Sequence, residues 1–179
     1  MTYVFLANGF EEIEALTAVD LLRRANVPVQ TVGVGGRQIV GSHQIPVMAD
    51  IEESEISLDD IEMVVLPGGL PGTPNLEQSQ IVKDTVVACY EKGAYVAAIC
   101  AAPSILGHMG LLKGRRATVS DGFISDIIGA QYTGELVTMD GKIITGRGPT
   151  AAVAFALQLT DLLAEKEAAE KLRNLMRCQ

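Results

Sequence analysis

Short β-rich runs alternate with stretches of helical period along most of this chain, and that alternation limits the folds open to it more than any other feature. A strand followed by a dozen or more helical residues cannot turn straight back as a hairpin. The next strand therefore lies parallel to the first, and the helix crosses a face of the sheet. Residues 3–6 read as the first strand, broken by Gly9. Residues 11–25 then carry apolar side chains at Ile13, Leu16, Val19 and Leu22, the spacing of an amphipathic helix. Glu11, Glu12 and Glu14 open this helix and Arg23 and Arg24 close it, a polarity that complements its dipole.

Residues 29–34 form the second strand, closed by Gly35-Gly36. From there to Asp60 the chain is acidic with short alternating pieces such as 44–48, read as a hairpin and a loop. Residues 63–66 make a continuous apolar strand ending in Pro67-Gly68-Gly69, after which 75–92 has helical period. The strand at 94–99 stops at Cys100, and 101–110 follows as a helix whose first turn tolerates Pro103. Residues 136–139 and 142–145 flank Asp140-Gly141, a strong hairpin turn. Gly148-Pro149 opens a long apolar helix to about Leu163, and 165–176 forms a charged final helix. The fold class expected is α/β with a mainly parallel central sheet. With 179 residues and no repeat, low-complexity tract or linker, one domain spanning 1–179 is expected.

Composition narrows the function. Apolar residues at 48% exclude a disordered chain. The net charge of −8, from 14 Lys plus Arg against 22 Asp plus Glu, argues against nucleic acid or an anionic membrane as partner, since neutralising phosphates needs excess base. One uncharged stretch, 93–112, has the length of a membrane span, but Pro103, Ser104, His108 and three glycines interrupt it; a buried strand running into a helix is the better reading. The cysteines at 89, 100 and 178 show no CxxC or zinc spacing, which fits a reducing compartment. The start MTYVFLANGFEE lacks the basic and apolar regions of a signal peptide, so a cytoplasmic location is expected. Two histidines and no evident ligand cluster give no metal site, and the LPGGLPG run has neither Walker A nor GxGxxG order.

In an open parallel sheet, ligands gather beyond the carboxyl ends of the strands, where strand order reverses. Four features converge on that edge: residues 9–14, Pro67-Gly68-Gly69, Cys100-Ala101 and Gly146-Arg147-Gly148. A cysteine between a strand end and a helix start meets free backbone N–H groups that favour a thiolate. Cys100 is so placed, with small neighbours at Ala97, Ala98, Ala101 and Ala102. Free cysteines are also commonly small core residues, so placement alone leaves both roles open. Cys89, in mid-helix, and Cys178, in the tail, read as structural. Acids in a first helical turn are ordinary dipole partners, but Glu14 falls at the border of the apolar face, where desolvation would raise its pKa and suit it to proton transfer. Gly68-Gly69 is either a tight strand exit or an N–H donor to an oxyanion beside Cys100.

The stretches ANGFEEIEA, VVLPGG, AAICAAPSIL and ITGRGP, in this order over nearly the whole chain, resemble the DJ-one/ThiJ/PfpI superfamily and most closely its small DJ-one-like branch. The resemblance implies a flavodoxin-like three-layer sandwich and a homodimer. It implies that Cys100 is an oxidisable nucleophile, that Glu14 is a buried acid hydrogen-bonded to its sulfur, and that the N–H groups of Gly69 and Ala101 form an oxyanion pocket. Two features depart from the pattern. Residues 117–122 lack the histidine that family members often carry near the nucleophile, Ser120 being the nearest counterpart, and Ala101 stands where the protease-like branch has His. A Cys-His dyad of that kind is absent, which argues against a peptidase; the downstream His-x-Glu of a class I amidotransferase is missing too.

Two functions follow from the resemblance. In the first, the chain is a cofactor-free glyoxalase or deglycase-like enzyme: Cys100 adds to a small 2-oxoaldehyde or an early glycation adduct, Glu14 moves the proton, and water releases a 2-hydroxy acid. In the second, the chain is a protective redox sensor or chaperone of oxidative stress, in which Cys100 is oxidised to a sulfinate held by Glu14.

Overall fold

The computed structural model describes residues 1–176, so Cys178 lies outside the described residues. In chain order the elements are β1 (Thr2–Leu6), α1 (Glu12–Arg24), β2 (Val29–Gly33), β3 (Gln38–Val40), β4 (Pro46–Met48), β5 (Ile51–Glu52), β6 (Met63–Leu66), α2 (Gly72–Gln78), α3 (Gln80–Glu91), β7 (Tyr95–Ile99), α4 (Pro103–His108), β8 (Arg116–Ala117), β9 (Gln131–Tyr132), β10 (Val137–Asp140), β11 (Ile143–Gly146), α5 (Ala152–Leu163) and α6 (Lys166–Met176). Seven strands form the central sheet in the order β10-β11-β7-β6-β1-β2-β5. All neighbours are parallel except β10, which returns antiparallel on β11.

Alternate residues of the central strands point to opposite faces, which divides the core into two layers. Val4, Val65, Ala97 and Ile144 face α1 and α5, packing with Ala18, Leu22 and Phe155. Phe5, Val64, Ala98 and Ile143 face the other way, packing with Val86, Cys89 and Ile105. Both faces are thus covered by helices, the flavodoxin-like arrangement. The chain begins at β1, builds outward through β2 to β5, then crosses to β6 on the other side of β1. Strand order reverses between β1 and β6. Leu66 of β6 is paired with Ala98 of β7, so Gly68 and Cys100 leave the sheet at the same level.

Three differences from the sequence expectation have clear causes. The helix expected over 75–92 is two helices, because Ser79 turns extended (ψ 121°) and its Oγ accepts the Val82 N–H, capping α3. The apolar stripe of α1 is only partly its buried face: Val19 and Leu22 are buried, but Ile13 is 51% exposed, and Glu14, Ala15 and Ala18 also point inward. Small alanines let α1 approach α5 closely, and an argument from large apolar side chains undervalues them. A short parallel pair, β8 with β9, had no pattern to announce it. The stretch 93–112 holds β7 and α4, and among the described residues no helix is long and apolar enough to cross a membrane.

Phe155 is fully buried between α5 and the sheet. Phe155→Ala is expected to lower unfolding stability by about 3–5 kcal/mol in urea titrations. A loss below about 1 kcal/mol would contradict a close-packed layer there.

Candidate active site

Cys100 follows the last residue of β7 with φ +64°, in the left-handed region where a side chain is strained. Two backbone bonds hold it there. Its N–H donates to Gly146 O at 2.9 Å, at the end of β11, and its carbonyl accepts from Ser120 N at 2.9 Å. The sharp turn leaves the side chain half-buried at the sheet edge, with the helical turn leading to α4 just beyond. This strand-to-helix junction is the placement expected from the sequence.

Glu14 arrives from the first turn of α1 and is 1% exposed. The Gly68 N–H donates to its Oε2 at 2.9 Å. A Cβ added to Gly68 would lie 2.6 Å from Cys100 Cβ and 2.7 Å from Glu14 Oε2, so glycine is what allows these two side chains to gather around the loop after β6. Gly69, at φ +96°, packs against the Glu11 N–H and the Gly9 carbonyl with no room for a side chain. The Glu14 carboxyl and the Cys100 thiol lie close enough for each to perturb the other's titration, and the backbone N–H groups of Ala101 and Gly69 favour the thiolate. Among the described residues the other Glu14 oxygen, Oε1, has no hydrogen-bond partner. All four residues singled out from the sequence, Cys100, Glu14, Gly69 and Ala101, therefore meet at one point.

Electrostatics revises one expectation. The junction was expected to favour a resting thiolate, but burial, then the charge and hydrogen bond of Glu14, push the Cys100 thiol up to about 12 against the pull of Ala101 and Gly69 N–H. Burial likewise raises Glu14 to about 7, with the Glu11 charge adding to the rise and Cys100 and Gly68 opposing it. Two desolvated acids side by side titrate as a pair, since charging one makes it harder to charge the other. Over a wide range above pH 7 the pair holds one proton, resting on sulfur, with Glu14 as the neighbouring carboxylate. Chemically, such a pair can act as a nucleophile and its base. Cys89 differs: it is fully buried, donates to Tyr95 O at 3.1 Å, and burial lifts it to about 11 with no acid beside it.

Sequence reasoning missed two parts of the neighbourhood. A cavity of about 370 Å³, walled by Ser120, Arg147, Gly148 and Pro149, borders the backbone that carries Cys100. Ser120, the counterpart of the absent histidine, contributes its backbone N–H to the nucleophile turn. The second part is a network of Glu11, Glu12, Ser42 and His43, in which Glu12 accepts the His43 backbone N–H at 2.8 Å and pairs with Nδ1 at 3.0 Å. The ligand-type atoms of Glu11, Glu12 and His43 lie within 4.8 Å of one another, and hydrogen bonds among themselves and with Ser42 engage them as an ion-pair network. Nothing in the sequence between residues 12 and 43 signals that hairpin β3–β4 folds back onto α1.

A carboxyl whose pKa is raised by folding favours the fold in its protonated form. Stability is then undiminished below the ordinary value of 4.5, falls as pH rises toward about 7, and above that carries the whole penalty. Glu14→Gln should remove about 2 kcal/mol of the wild-type loss between pH 5 and pH 8, measured by chemical unfolding at both values. Wild-type and variant curves with the same pH dependence would contradict the burial of an ionisable Glu14.

The comparisons with known proteins agree with this fold. Residues 2–162 match the DJ-1/PfpI family model. Protein dj-1beta of Drosophila melanogaster is 34% identical over 172 residues, covering 94% of this chain and 92% of the relative. The crystal structure of Drosophila melanogaster DJ-1beta superposes with a TM-score of 0.94 at 32% identity, over 99% of this chain and 97% of that one. An oxidized Toxoplasma gondii DJ-1 gives a TM-score of 0.92 at 30% identity, over 98% and 96%. Deglycase TK1284 of Thermococcus kodakarensis is 28% identical over 163 residues, 89% of this chain and 97% of the relative. With its signature segments gathered at one strand-order reversal and its sequence matched nearly end to end, the chain belongs to the DJ-1/PfpI family.

Proposed function

We propose that the chain is a cysteine-dependent enzyme of glyoxalase or deglycase type that needs no cofactor and acts on small 2-oxoaldehydes or their early glycation adducts. The observation that carries this reading is the pairing of half-buried Cys100 with buried Glu14, a thiol and a carboxylate sharing one proton beside two backbone N–H groups. Likeness to a protein named a deglycase supports it at the level of reaction type.

With methylglyoxal as the test substrate, the Cys100 sulfur bonds to the aldehyde carbon while its proton passes to Glu14. The carbonyl π electrons move onto oxygen, where the N–H groups of Gly69 and Ala101 receive the charge, and the proton then follows to give a hemithioacetal. Glu14, ionised again, removes the hydrogen from that carbon as a proton and returns it to the neighbouring carbon, while the hydroxyl proton of the first carbon passes to the neighbour's oxygen, so one carbon is oxidised and the other reduced with no external electron carrier. The resulting thioester is cleaved by water, giving lactate and the free thiol. The whole chain, 1–179, acts as one unit in this reading, in the cytoplasm and as a homodimer; exposed Ile13, Met48 and Leu175 are apolar surface available to pairing.

A second reading rests on the same cysteine. Family likeness to an oxidized DJ-1 supports a redox sensor in which Cys100 is converted by peroxide to a sulfinate, and a protonated Glu14 donates to one of its oxygens. Glu14→Gln keeps a donor in the same space, so it should preserve oxidation while removing proton transfer.

Steady-state lactate formation from methylglyoxal separates the two. The enzyme reading predicts many turnovers per chain, loss of at least about a hundredfold in Cys100→Ser, and a comparable loss in Glu14→Gln. Wild-type protein that consumes methylglyoxal only stoichiometrically would overturn it and leave the sensor.

A further inference from the structure

We propose that Glu11 and His43 are positioning residues for this site, an ion pair beside Glu14 that sets the pH at which Glu14 can accept the Cys100 proton. This inference rests on the reading of Glu14 as the base. Glu11 precedes α1, and its carbonyl accepts the Glu14 N–H at 3.2 Å. Its own N–H donates to Gly68 O at 2.9 Å, on the residue whose N–H binds Glu14 Oε2. The Glu11 side chain is only 18% exposed, so its charge reaches Glu14 through poorly screened surroundings and favours the protonated form.

His43 counters that charge, and the fold seats it to do so. Gly41 lacks the side chain that would collide with the Glu12 carboxylate, which lets Glu12 grip the turn between β3 and β4. Glu12 accepts from the His43 N–H and pairs with Nδ1, while Ser42 Oγ bridges Glu12 at 3.1 Å and Glu11 at 3.2 Å. Nδ1 then lies 3.5 Å from Glu11 Oε1. Among the described residues the charged groups facing His43 are Glu11 and Glu12, both from the start of α1, and its neighbour on its own turn is Ser42. Glu14 faces Cys100 and the Gly68 N–H and feels the Glu11 charge.

The members of the network divide the work. Hydrogen bonds from His43 and Ser42 overcome the effect of burial and hold Glu12 at about 2, so it stays ionised at working pH. His43 is 69% exposed and raised above its ordinary value, by Glu12 and then Glu11, so it is the member that titrates. Protonated His43 offsets Glu11 and lets Glu14 ionise at lower pH. Once His43 loses its proton, Glu11 acts unopposed and Glu14 keeps its proton to higher pH.

The test is the pH dependence, from 5 to 9 in EDTA at low salt, of Cys100 alkylation by iodoacetamide in the full chain, read by mass mapping of the Cys100 peptide. In wild-type protein the rate should rise with a midpoint near 7, as Glu14 ionises. Glu11→Gln should lower that midpoint by about half a unit to one unit, and His43→Gln should raise it by about half a unit. His43→Arg, which keeps the positive charge, should restore the wild-type midpoint, and raised salt should shrink the His43→Gln shift. In the Glu11→Gln background His43→Gln should have little effect. Glu11 makes no side-chain cap bond to α1 and His43 is exposed, so each variant checks the other if one folds poorly. An inflection near 7 that neither variant moves would overturn the ion-pair proposal alone. A wild-type profile with no inflection near 7 would overturn the base reading and the proposal with it.

Discussion

Glu14 and Cys100 are two acidic groups denied water by the same fold, and the arrangement around them follows from that crowding. Burial raises both, and the Glu14 charge raises the thiol further while the thiol opposes the rise at Glu14, so above pH 7 the remaining proton stays on sulfur. Bringing them together takes a backbone with no side chain in the way, and Gly68 supplies it, lying against both side chains while donating to the carboxylate. Cys100 contributes its own strain, a left-handed backbone held by Gly146 and Ser120. Both features cost folding free energy at the place where chemistry is proposed, and the two fully packed core layers on either side of the sheet supply the stability that offsets them.

The parallel sheet explains why these groups meet. Strand order reverses between β1 and β6, the place in a parallel sheet where ligand sites form. The loops after β1, β6 and β7 all leave the sheet at that end, and register places Gly68 and Cys100 at one level. Glu14 then needs only the first turn of α1 to reach inward. A carboxyl at the dipole-positive end of a helix would ordinarily stay ionised at low pH; here burial outweighs the dipole and carries it up to about 7.

Much of this was legible in the sequence, for identifiable reasons. The strands 63–66 and 94–99 are continuous apolar runs ended by Pro-Gly-Gly and by Cys100, so their position and their direction could be read directly. The Asp140-Gly141 hairpin and the antiparallel return of β10 were equally plain. What escaped depends on side chains far apart in the chain. Ile13 reads as part of the inner face because it is large and apolar, yet the close approach of α1 to α5 uses Ala15 and Ala18. The break at Ser79 hid inside an unbroken helical period. Position favours a thiolate at Cys100; the structure shows the burial that, with the expected Glu14 carboxylate, keeps the proton on sulfur. The Glu12–His43 contact spans 31 residues and leaves no local pattern.

The claim on which the mechanism depends is that Glu14 is a buried carboxyl of raised pKa coupled to Cys100, and carboxyl-carbon NMR of protein labelled at the glutamate δ-carbon measures it most directly. One resonance, absent from Glu14→Gln, should titrate with a midpoint near 7, and its midpoint should move in Cys100→Ser. A Glu14 resonance titrating near the ordinary value of 4.5 and indifferent to the loss of the thiol would contradict the account.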